Sequence, residues 1–200
     1  MSRRIIFLGS SVTYGSAAGG ISFADLICEK NGFDMIKEAV SGTTLADTDE
    51  QSYVRRLRQI DCESADLFIC QLSTNDAAQG IPLGNVSDTR NPDAFDVNTV
   101  AGAIEYILAY VTEKWHCPMA FYTGTRFDSE AYAEMVSLLE QIAEKWNIRI
   151  IDLWNEPAFQ SVSPADYSRY MEDPVHPTLA GYREWWAPYI EKYILEMLYD

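Results

Sequence analysis

The chain has 200 residues, 15 of them Lys or Arg and 30 Asp or Glu, for a formal charge of −15. With 48% apolar and 22% charged residues it has the balance of one globular domain spanning 1–200, and such a domain buries roughly 70% of the surface its unfolded chain exposes. The acidic excess argues against a nucleic-acid backbone or a membrane surface as partner, since both select Lys/Arg faces.

The first element is a strand, Arg4–Leu8. Its apolar run stops at Gly9, short of the ~7–15 residues of a secretory core or the ~20 of a spanning helix, so a cytoplasmic chain is expected. Gly9-Ser10-Ser11-Val12-Thr13 follows. Three hydroxyls on a tight strand-to-helix turn suit a phosphate cradle, a helix cap or an exposed nucleophile. The turn is neither a G-x-S-x-G elbow nor a P-loop, because Thr13 replaces the last glycine and no Gly-Lys-Ser/Thr follows.

A second strand, Phe33–Val40, leads into Ser41-Gly42-Thr43-Thr44, where the glycine serves a turn or frees a backbone N–H to face a ligand. A third, Asp66–Leu72, ends at Ser73-Thr74-Asn75-Asp76. Asn and Asp there make turns or cap helices, and an Asn amide is also a neutral donor suited to a developing oxyanion. Ala77–Asp96 then runs without a period, long enough to predict a wall over the site.

Val100, Ile104, Ile107, Leu108 and Val111 form one helical stripe; Tyr132, Met135, Val136, Leu139, Ile142 and Trp146 form another, with Ser129 placed to cap it. Strands are predicted at Cys117–Thr123 and Ile148–Leu153. His116, before the former, reads as a surface residue. A second irregular stretch, Trp154–Val175, holds Ser163-Pro164, a start for a short helix. The two stretches offer Ile81, Leu83, Phe95, Trp154, Phe159, Tyr167 and Tyr170 as pocket walls. Asp173-Pro174-Val175-His176-Pro177 precedes a last helix whose stripe includes Tyr182, Trp186, Ile190 and Ile194, and Pro177 suits its first position. Four cysteines without a CxxC pair and only two histidines speak against a zinc cluster, and the thiols read as reduced.

Five strands, several of them nearly continuous in apolar residues, alternate with helices and predict a three-layer α/β/α sandwich on a five-stranded parallel sheet. Such sheets bind ligands at the carboxyl ends of their strands. Ser11, Gly42, Asn75 and the Asp173/His176 pair all fall there, and acyl transfer needs parts of these kinds: a nucleophile, a base, an orienter for the base and donors for the oxyanion.

This set of segments resembles the four blocks of the SGNH (GDSL-type) esterase and lipase superfamily, in order and over nearly the whole chain. The family's Gly-Asp-Ser is here Gly9-Ser10-Ser11, and its Gly-x-Asn-Asp is Ser73-Thr74-Asn75-Asp76. The resemblance implies a flavodoxin-like fold, Ser11 as nucleophile, His176 as base, Asp173 as its orienter, and an oxyanion hole from the Ser11 and Gly42 N–H groups and the Asn75 amide. The family covers short-chain esters, acetylated carbohydrates, lysophospholipids and thioesters; with no long apolar lid helix in the sequence, a short-chain or acetyl ester is expected, carbohydrate esters included, with no cofactor or metal. The rival reading, a flavodoxin-like FMN electron carrier, suits the fold and the acidic composition but leaves Asn75, Asp173 and His176 without a role.

Overall fold

In the computed structural model, which describes residues 2–199, five strands form one sheet: β1 (Arg4–Gly9), β2 (Asp34–Ala39), β3 (Leu67–Gln71), β4 (Met119–Tyr122) and β5 (Arg149–Ile151). All pair in parallel, in the order β2-β1-β3-β4-β5. This is the flavodoxin-like order, in which the strand sequence reverses at β1 and opens a crevice over its carboxyl end.

Ten helices complete the layers: α1 (Ser11–Tyr14), α2 (Phe23–Asn31), α3 (Tyr53–Gln59), α4 (Thr74–Ala78), α5 (Val100–Lys114), α6 (Glu130–Trp146), α7 (Pro157–Gln160), α8 (Pro164–Tyr170), α9 (Leu179–Gly181) and α10 (Ala187–Tyr199). Alternate strand residues feed opposite cores, as the two-residue period of a strand requires. Ile6, Leu8, Phe68, Cys70 and Phe121 pack under α3, α5 and α6, while Ile5, Phe7, Leu67, Ile69 and Tyr122 pack under α2 and α10. Both predicted helical stripes are placed as expected, and Ser129 caps α6 by accepting from the Tyr132 N–H at 3.2 Å.

Three local expectations need correction. The stretch 77–96 does not wall the crevice along its whole length: Gln79 donates to Gly42 O at 3.4 Å, but the part from Ser87 on is held elsewhere. Glu105 is fully buried on α5 and accepts from Lys145, from the Trp146 indole at 2.9 Å and from the Ser87 N–H at 2.7 Å. Lys145 also donates to the Ser87 and Thr89 carbonyls at 2.6 and 2.7 Å. Residues 87–90 are thereby drawn to the C-terminal end of α6.

The proposed aromatic walls are largely used in packing instead: Phe95 lies against Trp146, Trp154 against Phe127 and Tyr132, and Phe159 against Trp185. Pro177 does not open the last helix either. It pairs antiparallel with Met171, and Thr178 caps α9 by accepting from the Gly181 N–H at 3.1 Å. A helix begun at Pro177 would break that pairing, which is reinforced by Glu172 N–H to His176 O at 2.9 Å and Thr178 N–H to Tyr170 O at 2.8 Å.

Candidate active site

The turn after β1 is built around a glutamine that the sequence did not advertise. Gln71, at the end of β3 and almost fully buried, turns its Oε1 toward β1 and accepts from Ser10 N–H at 3.0 Å, Thr13 N–H at 3.2 Å and the Thr13 hydroxyl at 2.8 Å. The Tyr122 hydroxyl closes the cluster, 2.6 Å from Thr13 Oγ1 and 3.1 Å from Gln71 Oε1. Gly9 must be glycine here: a Cβ on it would lie 1.8 Å from Thr13 Oγ1 and 2.9 Å from Gln71 Oε1. The Tyr182 hydroxyl, on a π-helical turn (Tyr182–Trp186) between α9 and α10, donates to Val12 O at 2.7 Å and holds α1 from the other side.

Held this way, the two adjacent serines point apart. The Ser10 hydroxyl is buried without a hydrogen-bond partner. Ser11 Oγ lies 2.8 Å from His176 Nε2, across 165 residues of chain. The Met171–Pro177 hairpin supplies the histidine together with its neighbour Asp173. One oxygen of that carboxylate accepts from the Val175 and His176 N–H groups at 2.8 Å each, and the other lies 2.7 Å from His176 Nδ1.

Burial pushes the Asp173 carboxyl up, but the Val175 N–H, the His176 ring and the His176 N–H outweigh it, and its pKa falls below the ordinary value. Asp173 is therefore ionised and accepts only, so Nδ1 carries the ring proton. In the neutral ring Nε2 is then the acceptor, and the Ser11 O–H donates to it. The arrangement can take a proton from Ser11 and stabilise the imidazolium that results.

On the other flank Gly42 stands at φ +82, the left-handed region that glycine adopts without strain. Its N–H donates to no described protein acceptor, and neither does that of Ser11. Asn75 reaches the same loop by donating from Nδ2 to Thr43 O at 2.8 Å, which leaves its second amide hydrogen free of that bond. Asp76 fixes the far end of the loop: its carboxylate accepts from Leu45 N–H at 2.8 Å and Ala46 N–H at 3.1 Å. Burial pushes the Asp76 carboxyl up to about 6, against the pull of those two N–H groups and the Ser73 hydroxyl.

Ser11, His176 and Asp173 thus form one hydrogen-bonded chain, and Asn75 is tied to the loop that carries Gly42. His116 lies exposed after α5, outside this arrangement. Among the described residues no helix is long and apolar enough to cross a membrane.

Crystal structures with this fold include a protein from Lactobacillus plantarum, 20% identical over 98% of each chain with a TM-score of 0.79. A member of the lipolytic protein G-D-S-L family from Veillonella parvula is 16% identical over 99% of this chain and 98% of its own, TM-score 0.68. An acetyl xylan esterase is 15% identical over 96% of this chain and 99% of its own, TM-score 0.66. At these identities the likeness is one of fold. No curated protein matches the chain. The sequence pattern of the GDSL-like lipase/acylhydrolase family matches residues 7–184, from β1 through the Asp173–His176 hairpin, and the chain belongs to that family of ester hydrolases.

Proposed function

We propose that the protein is a serine esterase that removes acetyl or similarly short acyl groups from soluble esters, acetylated carbohydrates among them. The observation that carries this reading is the Ser11–His176–Asp173 chain, with contacts of 2.8 and 2.7 Å. Ser11 Oγ attacks the ester carbonyl as His176 Nε2 takes its proton, and Asp173 stabilises the imidazolium. The tetrahedral oxyanion is met by the Ser11 and Gly42 N–H groups and the free amide hydrogen of Asn75. His176 then protonates the departing alcohol. Water, deprotonated by the same nitrogen, attacks the acyl-serine, and the proton returns to Ser11 as the acid leaves.

The acyl length is supported by a cavity beside the serine. It is lined by Val12, Leu72, Thr74, Tyr122, Phe127 and Val175, so that the residues following Ser11 and preceding His176 both face it. The cavity is narrow and almost wholly apolar, which suits a short acyl group better than an extended chain. The acetyl xylan esterase among the structural neighbours acts on an acyl group of that size. The electron-carrier alternative shares the strand order and the acidic composition but leaves the Ser11–His176–Asp173 chain without a role.

The test is a series of p-nitrophenyl esters from acetate to octanoate together with an acetylated xylan, and covalent labelling by a fluorophosphonate. Acetate is expected to give the highest kcat/KM. Labelling should persist in Ser10→Ala and vanish in Ser11→Ala. Label on any other residue, or hydrolysis that survives Ser11→Ala, overturns the reading.

A further inference from the structure

Arg56 is not part of any motif the sequence displays, yet its guanidinium lies beneath both sides of the site. It is 3% exposed and sits on α3. All five of its N–H donors are engaged, and the partners come from four separate segments. Nε donates to Gln51 O at 2.7 Å. Nη1 donates to Glu38 O at 3.0 Å and to the Glu38 carboxylate at 3.2 Å. Nη2 donates to Gly9 O at 2.8 Å and to Thr43 Oγ1 at 3.0 Å.

The last two bonds connect the peptide just before Ser10-Ser11 with the side chain just after Gly42. Thr43 passes the constraint on: its hydroxyl donates to Val40 O at 2.7 Å, and its carbonyl accepts from the Asn75 amide at 2.8 Å and the Ser73 hydroxyl at 3.3 Å. One rigid, permanently charged fork therefore fixes the distance between the two backbone N–H groups and, through Thr43, the orientation of the Asn75 amide.

We propose that Arg56 is a positioning residue for oxyanion stabilisation, setting the spacing of the Ser11 and Gly42 donors through Gly9 O and Thr43. This rests on the serine-esterase reading above. A lysine cannot replace it, because three rotatable donors cannot serve five fixed partners. A merely structural arginine would cost stability and leave turnover per folded molecule unchanged. A positioning role lowers kcat with little change in KM, because donors displaced by a fraction of an ångström lose most where charge develops.

The experiment compares Arg56→Lys, Thr43→Val and Thr43→Ser by kcat, KM, melting temperature and rate of fluorophosphonate labelling. Glu105→Gln, outside the site, serves as a control for lost stability. Arg56→Lys and Thr43→Val are expected to lose about 10- to 100-fold in kcat with KM within about threefold. Labelling should slow in parallel, since the reagent's phosphoryl oxygen takes the place of the oxyanion. Thr43→Ser, which keeps the hydroxyl, should recover most of the rate. Should Arg56→Lys fail to fold, the Thr43 pair decides. Folded Thr43→Val with kcat within twofold of the unmutated chain overturns the assignment. A parent protein that hydrolyses no ester and takes no label instead overturns the esterase reading, and this proposal falls with it.

Discussion

Replacing Asn75 with alanine separates a catalytic amide from a structural one. In the fold, the amide gives one hydrogen to Thr43 O at 2.8 Å, and that carbonyl keeps a second donor in the Ser73 hydroxyl at 3.3 Å. The structural loss is one hydrogen bond whose acceptor is not left bare, about 1 kcal/mol, or roughly 2–4 °C in melting temperature for a chain of this size. The loss at the transition state is larger. An amide hydrogen aimed at a developing oxyanion contributes about 3–4 kcal/mol, so kcat should fall by roughly 10²–10³ with KM little changed.

Asn75→Asp should be worse on both counts. It sets a carboxylate against the Thr43 carbonyl and a negative charge against the oxyanion. Steady-state kinetics on p-nitrophenyl acetate and a thermal melt on the same samples read both quantities. Turnover within a few-fold of normal in a folded Asn75→Ala protein would refute the reasoning, because the amide would then serve only Thr43.

Three further outcomes follow from individual groups. Burial raises the Asp76 carboxyl to about 6 in the folded chain, from 3.8, so its protonated form favours folding below about pH 4 and that contribution is lost as pH rises through 6. The unmutated chain should lose up to about 3 kcal/mol relative to Asp76→Asn across that window, read by urea unfolding at several pH values; parallel curves would refute the assignment. Glu105→Gln should cost about 3 kcal/mol, because Lys145 loses its buried carboxylate, while kcat at 20 °C stays unchanged. Gly9→Ala should abolish fluorophosphonate labelling, since its Cβ would overlap the Thr13 hydroxyl that shapes the turn; normal labelling would contradict the geometry.

The central strands were legible because they are apolar on both faces, as parallel strands between helices must be, and the observed bounds of all five differ from the predicted ones by at most two residues at either end. The irregular stretches were less legible because long-range pairing decides their course. Nothing local marks Glu105 as the acceptor that draws Ser87–Arg90 away from the crevice, since a glutamate in an otherwise apolar helical stripe looks like a solvated position until Lys145 and Trp146 are brought beside it. The aromatic residues of those stretches are equally ambiguous. A tryptophan such as Trp154 suits a sugar platform and a core equally well, and only its edge-on contact with Phe127 at 5.5 Å shows which it is.

At the site, the residues proposed to touch substrate lie in short local blocks, while the groups that hold them do not. Ser11, Gly42, Asn75, Asp173 and His176 each follow a strand or precede a helix, where their types stand out. Gln71 closes a buried strand, and Arg56 lies in Arg55-Arg56-Leu57-Arg58, a run that reads as an exposed basic face. The same scaffold explains why two departures from the family pattern are tolerated. At position 10 it is the backbone N–H that Gln71 binds, at 3.0 Å, while the side chain is buried and unpartnered, so a serine there leaves the turn intact. At position 73, where the family has glycine, the serine hydroxyl accepts from Asn75 N–H at 3.2 Å and donates to Thr43 O. It caps α4 and shares the carbonyl that Asn75 binds. The changed side chain thus reinforces the orientation of the amide, and the bond it makes is the reason losing Asn75 should cost this chain far more rate than stability.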